Sequence, residues 1–212
     1  MKTIIEQIDL RQMDKETIKK AGDILKSGGL VAFPTETVYG LGADALNEDA
    51  AKKIYEAKGR PSDNPLIVHI ADMEALDNIT EIIPETASSV ARKFWPGPLT
   101  MIFRKTEAVP LGTTGGLDTV AVRMPKHPAA KEIIRAGGGY IAAPSANTSG
   151  RPSPTTAQHV EEDLDGKIDM IVDGGPVEIG VESTILDMTV NPPMILRPGA
   201  VTKEMLEDLI GK

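Results

Sequence analysis

The stretch that most constrains the fold covers residues 58–70, KGRPSDNPLIVHI, where a helical pattern must give way to a strand. A helix is predicted over about residues 48–57. Gly59 permits a left-handed helix cap, and Pro61 prevents the helix from resuming. The apolar residues 66–68 then predict a short buried strand. A helix, a turn and a core strand must therefore follow one another within this one segment.

Two cations, Lys58 and Arg60, are expected on that turn, and His69 lies at the end of the apolar run. An arginine offers a planar fork of N–H donors to a phosphate or carboxylate, and a lysine offers a compact point charge. The turn therefore suits an anionic ligand. The alternative is that both cations only complement the dipole at the end of the helix.

Strand and helix patterns intermix along the whole chain, which predicts an α/β protein with a mixed sheet and helices on at least one face. Asp14, Asn47 and Thr155 are predicted to cap the N-termini of helices. The 212 residues suffice for one sizeable domain, and neither a repeat nor a linker divides them. We therefore predict a single domain over residues 1–212.

The composition excludes several classes of protein. Cysteine is absent, which excludes disulfides and thiolate zinc sites, and the three histidines form no metal-binding motif. A formal net charge of −8 argues against a general nucleic-acid coat, although it leaves room for a local basic cavity. Aromatic residues make up 3% of the chain, too few for base-stacking platforms.

The sequence also predicts a cytoplasmic location without a membrane partner. No apolar run approaches the roughly 20 residues that a transmembrane helix needs. The first residues, MKTIIEQ, lack the long apolar centre and the cleavage site of a signal peptide.

Polar loops follow predicted core strands at two places. Residues 34–42, PTETVYGLG, follow an apolar run with hydroxyls, a carboxylate and closely spaced glycines, which predicts a loop that faces a ligand. Residues 144–153, PSANTSGRPS, follow the predicted strand at residues 140–143 and are dense in hydroxyl and amide groups. These loops can share one cavity only if the strand ends lie close together.

The predicted strand at residues 119–124 carries a buried charge. Alternation places Val120 and Val122 on one face, and Thr119, Ala121 and Arg123 on the other. An arginine with only these neighbours on its own strand needs an anionic ligand or a protein carboxylate opposite it. The residues alone leave both a ligand contact and a structural salt bridge open.

Taken together, these stretches resemble the Sua5/YciO/YrdC family. The shared motifs run in order through nearly the whole chain: PTETVYGLG from Pro34, KGRP from Lys58, the residues Pro65 and His69, WPGPLT from Trp95, VRMP from Val122, PSANTSG from Pro144, ESTI from Glu182 and LRPG from Leu196. The resemblance implies a twisted, open-sided mixed sheet with flanking helices around a large basic cavity. It further implies a nucleotidyltransferase that makes L-threonylcarbamoyl adenylate from L-threonine, bicarbonate or CO2, and ATP.

The resemblance also implies a role for individual residues. The signature nucleotide-binding and catalytic set corresponds to Lys58, Arg60, Ser145 and Asn147. Further ATP contacts are expected at Asn64, Thr119, Ser153 and Arg197, and threonine is expected at Thr35, His69, Arg123 and Ser183. Mg2+ is expected to arrive with the triphosphate, without metal ligands from the protein. The product is expected to pass to a transferase that makes the t6A modification of tRNA.

Family members come in a short, single-domain form and in a long form whose added C-terminal domain closes over the nucleotide. This chain resembles the short form in length and the long form in its loop sequences. The sequence therefore does not decide which element closes the cavity. Two other functions also remain: a module that binds double-stranded RNA or tRNA, and a YciO-like paralogue with different chemistry. The related domain of hydrogenase maturation is a weaker alternative, because its zinc-finger and acyl-phosphatase parts are not visible here.

Overall fold

The computed structural model describes residues 2–11 and 14–211. Within these residues, ten strands join in one mixed sheet. The strands are β1 (Ile4–Gln7), β2 (Val31–Pro34), β3 (Tyr39–Asp44), β4 (Ile67–His69), β5 (Leu99–Arg104), β6 (Thr119–Arg123), β7 (Ile141–Ala142), β8 (Met170–Asp173), β9 (Thr184–Asp187) and β10 (Met194–Arg197). Their order across the sheet is β1-β8-β2-β3-β7-β4-β6-β5-β9-β10. The neighbours pair in both directions, which confirms the predicted mixed sheet.

Most of the helices lie between strands in the chain, as the intermixed patterns predict, and the C-terminal helix follows the last strand. The helices are α1 (Lys15–Lys26), α2 (Glu48–Lys58), α3 (Leu76–Ile79), α4 (Glu85–Phe94), α5 (Leu111–Thr114), α6 (Pro128–Ala136), α7 (Ala157–Leu164) and α8 (Lys203–Ile210), and a 3-10 turn (Met73–Ala75) leads into α3. None of these helices is both long enough and apolar enough to cross a lipid bilayer.

Several helix ends follow directly from single residues. The side chain of Asp14 accepts hydrogen bonds from the first backbone N–H groups of α1, and Asn47 does the same for α2. Gly59 ends α2 in the left-handed conformation, with φ 60°. Pro128 opens α6, where its fixed φ suits the first helical position.

Two local predictions were wrong, and one strand was missed. Strand β1 was not predicted, because its four residues are mostly exposed and lie far from their partner strand in the sequence. The predicted loop at residues 34–42 is partly strand, since Tyr39 begins β3 and pairs with Pro34. The cap of α7 is Thr156, whose hydroxyl accepts from the His159 N–H, and not the neighbouring Thr155.

Two apolar cores form on opposite faces of the sheet. Neighbouring residues of β2 point to different cores, with Ala32 in one and Val31 in the other. The smaller core lies under α1 and α6 and covers the part of the sheet formed by β8, β2, β3 and β7. The larger core lies on the other face, beneath α2, α4, α7 and α8.

The face of the sheet that packs against α1 and α6 continues beyond β7, where no helix among the described residues packs on it. Residues paired across neighbouring strands share a face of the sheet, and one such row runs from Ile141 through His69, Arg123 and Thr100 to Ile185. Ile141 belongs to the smaller core, whereas the next two residues of the row line a cavity. The open part of this face is therefore the floor of the cavity.

Gly22 allows α1 and α6 to pack closely. A Cβ at Gly22 would lie 2.6 Å from the Cβ of Ala136. Gly22→Ala should lower the free energy of unfolding by about 1–3 kcal/mol, because overpacking outweighs the better helix propensity of alanine. Urea denaturation measures this change. Lys15→Ala, at an exposed position of the same helix, should change it by less than about 0.5 kcal/mol. Equal stabilities for Gly22→Ala and the native chain would contradict the close packing.

Candidate active site

A cavity of about 250 Å3 lies over the open part of the sheet. Strands β4, β5, β6 and β9 supply its floor, with half-buried Ile67, Ala121, Ile102 and Ile185 among the apolar contacts. Its polar walls come from loops that follow or precede the strands. Eight of the predicted site residues line this one cavity: Thr35, Arg60, Asn64, His69, Arg123, Ser145, Ser183 and Arg197.

Lys58 lies behind the cavity wall instead of standing free on a turn. It is the last residue of α2, and its side chain is 2% exposed. Its Nζ donates to the backbone oxygens of Ser145 and Asn147, at 2.5 Å each. Lys58 therefore fixes the loop at residues 144–153, and the side chain of Asn147 binds within that loop, to the oxygens of Thr148 and Arg151.

Arg60 lies at the cavity with its guanidinium held by neutral acceptors. It donates to the side-chain oxygen of Asn64 at 2.6 Å and to the backbone oxygens of Asn64 and Pro65. Burial lowers its pKa, and the nearby charge of Arg197 lowers it further. Burial and then the charge of Arg60 lower the pKa of Lys58 to about 8. The cations therefore repel one another, and an anion between them would relieve that repulsion.

Arg197, at the end of β10, connects the residues predicted to contact ATP with those predicted to contact threonine. Its guanidinium forms an ion pair with Glu182 at 2.6 Å and donates to the backbone and side-chain oxygens of Ser183. Glu182 in turn accepts from the hydroxyl of Ser153 at 3.0 Å. The turn after β10 packs directly on this segment, because a Cβ at Gly199 would lie 2.5 Å from the Thr184 nitrogen.

Arg123 has the carboxylate partner that its burial demands. Its guanidinium forms an ion pair with Glu36 at 2.7 Å and donates to the Thr37 hydroxyl and the Gly97 oxygen. The second Glu36 oxygen accepts from the Lys126 N–H. Three of the five N–H donors of Arg123 are used in this way, and Arg123 still lines the cavity. The structural salt bridge is present, and donors remain for a ligand carboxylate.

His69 lies beside Arg123 on the cavity floor as a neutral imidazole. Burial and then the charge of Arg123 lower its pKa to about 3. Its Nδ1 lies 3.2 Å from the backbone oxygen of Ile67. A neutral ring can exchange hydrogen bonds with a polar ligand, but a group with this pKa is a weak base at neutral pH.

The structure does not bring every predicted residue to the cavity. Thr119 is half-buried at the start of β6, paired with Arg104, and does not line the cavity. Ser153 reaches it only through Glu182. No role was predicted from the sequence for Glu36 or Glu182, although they lie in the motifs PTETVYGLG and ESTI. A carboxylate partner such as Glu36 could have been sought because the predicted burial of Arg123 required one. Nothing in the sequence shows which carboxylate pairs with Arg197.

The arrangement joins two chemical environments in one cavity. Arg60 and Arg197, with Lys58 buried directly behind them, form a cationic wall suited to phosphate groups. Arg123, neutral His69 and the hydroxyls of Thr35 and Ser183 suit a small zwitterion with a carboxylate and a hydroxyl group. Among the described residues, no cluster of three histidine, aspartate or glutamate side chains could hold a metal ion.

The order of motifs along the chain matches a known family model. That model, Sua5/YciO/YrdC with the description "Telomere recombination", covers residues 23–199, which include every residue of the cavity. The chain belongs to the Sua5/YciO/YrdC family. The family resemblance drawn from the sequence motifs is thereby confirmed.

Curated members of the family are similar over most of this chain. A protein of Pyrococcus abyssi named threonylcarbamoyl-AMP synthase is 56% identical over 97% of the chain and 61% of its own length. A protein of Bacillus subtilis with the same name is 59% identical over 92% of the chain and 56% of its own length. The chain thus spans about three fifths of the length of these relatives.

A solved structure agrees in fold. The crystal structure of P. abyssi Sua5 complexed with L-threonine superimposes with a TM-score of 0.94 and 54% identity, over 100% of this chain and 61% of that one. This family member therefore shares the mixed, open-sided sheet described above, and the predicted fold class is confirmed.

The buried ion pair at the cavity floor should be essential for stability. Both side chains are at most 5% exposed, so Glu36→Ala leaves the Arg123 charge buried without a partner. We expect a loss of about 3–5 kcal/mol in the free energy of unfolding, measured by chemical denaturation. Glu132→Ala removes one of two exposed carboxylate partners of Arg135, the other being Asp72, and should cost less than about 1 kcal/mol. Similar losses for both variants would contradict this role of Glu36.

Proposed function

We propose that this chain is a threonylcarbamoyl-AMP synthase, which converts L-threonine, bicarbonate or CO2, and ATP into L-threonylcarbamoyl adenylate and pyrophosphate. One observation carries the proposal: a cationic wall and a polar floor that holds Arg123, with two of its five N–H donors unused, meet in a single cavity of about 250 Å3. The names of the relatives at 56% and 59% identity support it, as does the complex of P. abyssi Sua5 with L-threonine.

The chemistry needs two steps. The threonine amine loses a proton and its nitrogen bonds to the carbon of CO2, giving a carbamate. A carbamate oxygen then attacks the α-phosphorus of ATP, and the bond to pyrophosphate breaks. Such a transfer depends chiefly on positioning and on neutralising the phosphate charge. It requires no activated serine or thiolate.

Each group of residues has a part in these steps. Arg60 and Arg197 bind the phosphates directly, and Lys58 with Asn147 fixes the loop that brings Ser145 to the cavity. The remaining donors of Arg123 bind the threonine carboxylate, while Thr35, His69 and Ser183 contact its other polar groups. Asn64 orients Arg60, and Ser153 acts on Arg197 through Glu182. We assign Thr119 no direct contact.

Mg2+ enters as part of the substrate, bound to the triphosphate, because it keeps several waters and takes few protein ligands. Glu182 is the carboxylate among the described lining residues, and it is engaged with Arg197.

The adenylate is a mixed anhydride that must pass to an acceptor before water hydrolyses it. We therefore propose a cytoplasmic transferase that modifies tRNA as the next enzyme.

The decisive experiment measures pyrophosphate release from ATP and Mg2+, with threonine and bicarbonate supplied together or singly. We expect release only when both are present. Arg60→Met should lower kcat/KM by about 10- to 100-fold, because charge-assisted hydrogen bonds to phosphate are lost. Arg92→Met, on an exposed helix end, serves as the matched control.

Other outcomes identify the alternatives. ATP binding without release would indicate a paralogue with different chemistry or a missing closing segment. Neither release nor ATP binding, together with steeply salt-dependent binding of double-stranded RNA, would indicate the RNA-binding module.

The affinity for ATP should fall as the pH rises through about 8. The pKa of Lys58 is lowered to about 8, so its ammonium is mostly charged near pH 7 and mostly neutral near pH 9. We expect the Kd for ATP to rise by up to about tenfold between these values, measured by calorimetry. In Lys58→Arg the side chain keeps its charge over this range, so the Kd of this variant for ATP should vary by less than about twofold. A flat profile for the native protein would contradict the role of the Lys58 charge.

A further inference from the structure

Glu182 has an unusual position for an acid in a site that should bind phosphate. Among the described residues that line the cavity, it is the one that carries a carboxylate. One of its oxygens lies 2.6 Å from the Arg197 guanidinium, and the other accepts from the Ser153 hydroxyl at 3.0 Å. Its side chain is 36% exposed, so it can turn toward solvent without disturbing the core.

The two partners of Glu182 are the kind of donors that phosphate oxygens bind. A guanidinium N–H and a hydroxyl, converging on one anionic group, form a common phosphate contact. The sequence motifs predict both Arg197 and Ser153 as ATP contacts. Arg60 differs, because amide and backbone oxygens hold its guanidinium and no carboxylate does.

The charge of Glu182 acts on the whole cationic wall. It opposes the lowering of the pKa of Lys58, of Arg60 and of Arg197, and so stabilises their charged forms. The carboxylate thus does for these cations what a bound phosphate would do. A phosphate at Arg197 and Ser153 must take its place, because like charges cannot share these donors.

We infer that Glu182 is an internal counter-anion that occupies the position of a substrate phosphate at Arg197 and Ser153 and weakens phosphate binding by competition. The inference rests on the proposed function in taking a nucleotide or pyrophosphate as the ligand. When ATP binds, its phosphate displaces the carboxylate. When pyrophosphate leaves, the carboxylate returns to Arg197 and favours release of the product.

The test compares the binding of pyrophosphate to the native protein and to Glu182→Gln. Glutamine keeps the size of the side chain and one oxygen that can accept from Arg197, while it removes the charge and turns the other acceptor into an NH2 that can donate to the Ser153 hydroxyl. We expect the Kd for pyrophosphate, measured by calorimetry, to fall by about fivefold, the scale of a half-exposed ion pair. Pyrophosphate should also inhibit Glu182→Gln more strongly as a product.

Glu132→Gln is the matched control, because Glu132 has a similar exposure, an ion pair of the same 2.6 Å length with Arg135, and no place in the cavity. Its Kd for pyrophosphate should change by less than about twofold. An equal fall in Kd for both variants would attribute the effect to net charge and overturn the inference. Unchanged or weaker binding by Glu182→Gln would also overturn it, because Glu182 would then hold Arg197 in place for the ligand.

The inference and the proposed function can fail separately. If the native protein releases no pyrophosphate with threonine and bicarbonate, yet Glu182→Gln binds pyrophosphate more tightly, this chain lacks the proposed synthase activity on its own and the counter-anion stands. If the synthase reaction occurs and the Kd does not fall, only the counter-anion is wrong. If neither protein binds pyrophosphate at millimolar concentration, the counter-anion is overturned as well.

Discussion

The ion pair between Arg123 and Glu36 governs the open half of this sheet. A guanidinium with 5% side-chain exposure is a costly buried charge unless an anion compensates it, and Glu36 supplies that anion from the segment between β2 and β3. The pair thereby ties β6 to a distant loop and also sets the environment of His69, whose pKa falls with burial and with the nearby guanidinium.

The cavity is locally cationic although the protein as a whole is acidic. The chain carries a formal net charge of −8, yet three arginines line one small space with Lys58 directly behind. Neutral acceptors, chiefly the backbone oxygens of residues 64, 65, 145 and 147, hold Lys58 and Arg60, whereas Glu36 holds Arg123 and Glu182 holds Arg197. Local geometry, and not overall composition, therefore determines the electrostatics of the site.

Much of this arrangement could be predicted from the sequence, because single residues with strict conformational preferences mark it. Asn47 and Gly59 fix the ends of α2, and alternation in β6 correctly placed Arg123 on the face opposite Val122. Family motifs supplied the candidate residues, and eight of the twelve line one cavity.

What could not be predicted depends on contacts between distant parts of the chain. Lys58 is buried because it binds the loop at residues 144–153, whose Ser145 lies 87 residues further along the chain. The pairing of Glu182 with Arg197 depends on how β9 and β10 pair, which no local pattern encodes. Strand β1 is mostly exposed, so its residues lack the alternation by which buried strands are found.

Strand β1 also has a consequence for the order of assembly. Ile4 pairs with Met170 in a parallel ladder, and β8 is the neighbour that joins β1 to the rest of the sheet. During synthesis at about 5–20 residues per second, this early segment must wait on the order of 10–30 s for β8 to leave the ribosome. Strand β1 therefore stays unpaired long after it is made, and until β8 follows, the edges of both β1 and β2 stay open to other chains.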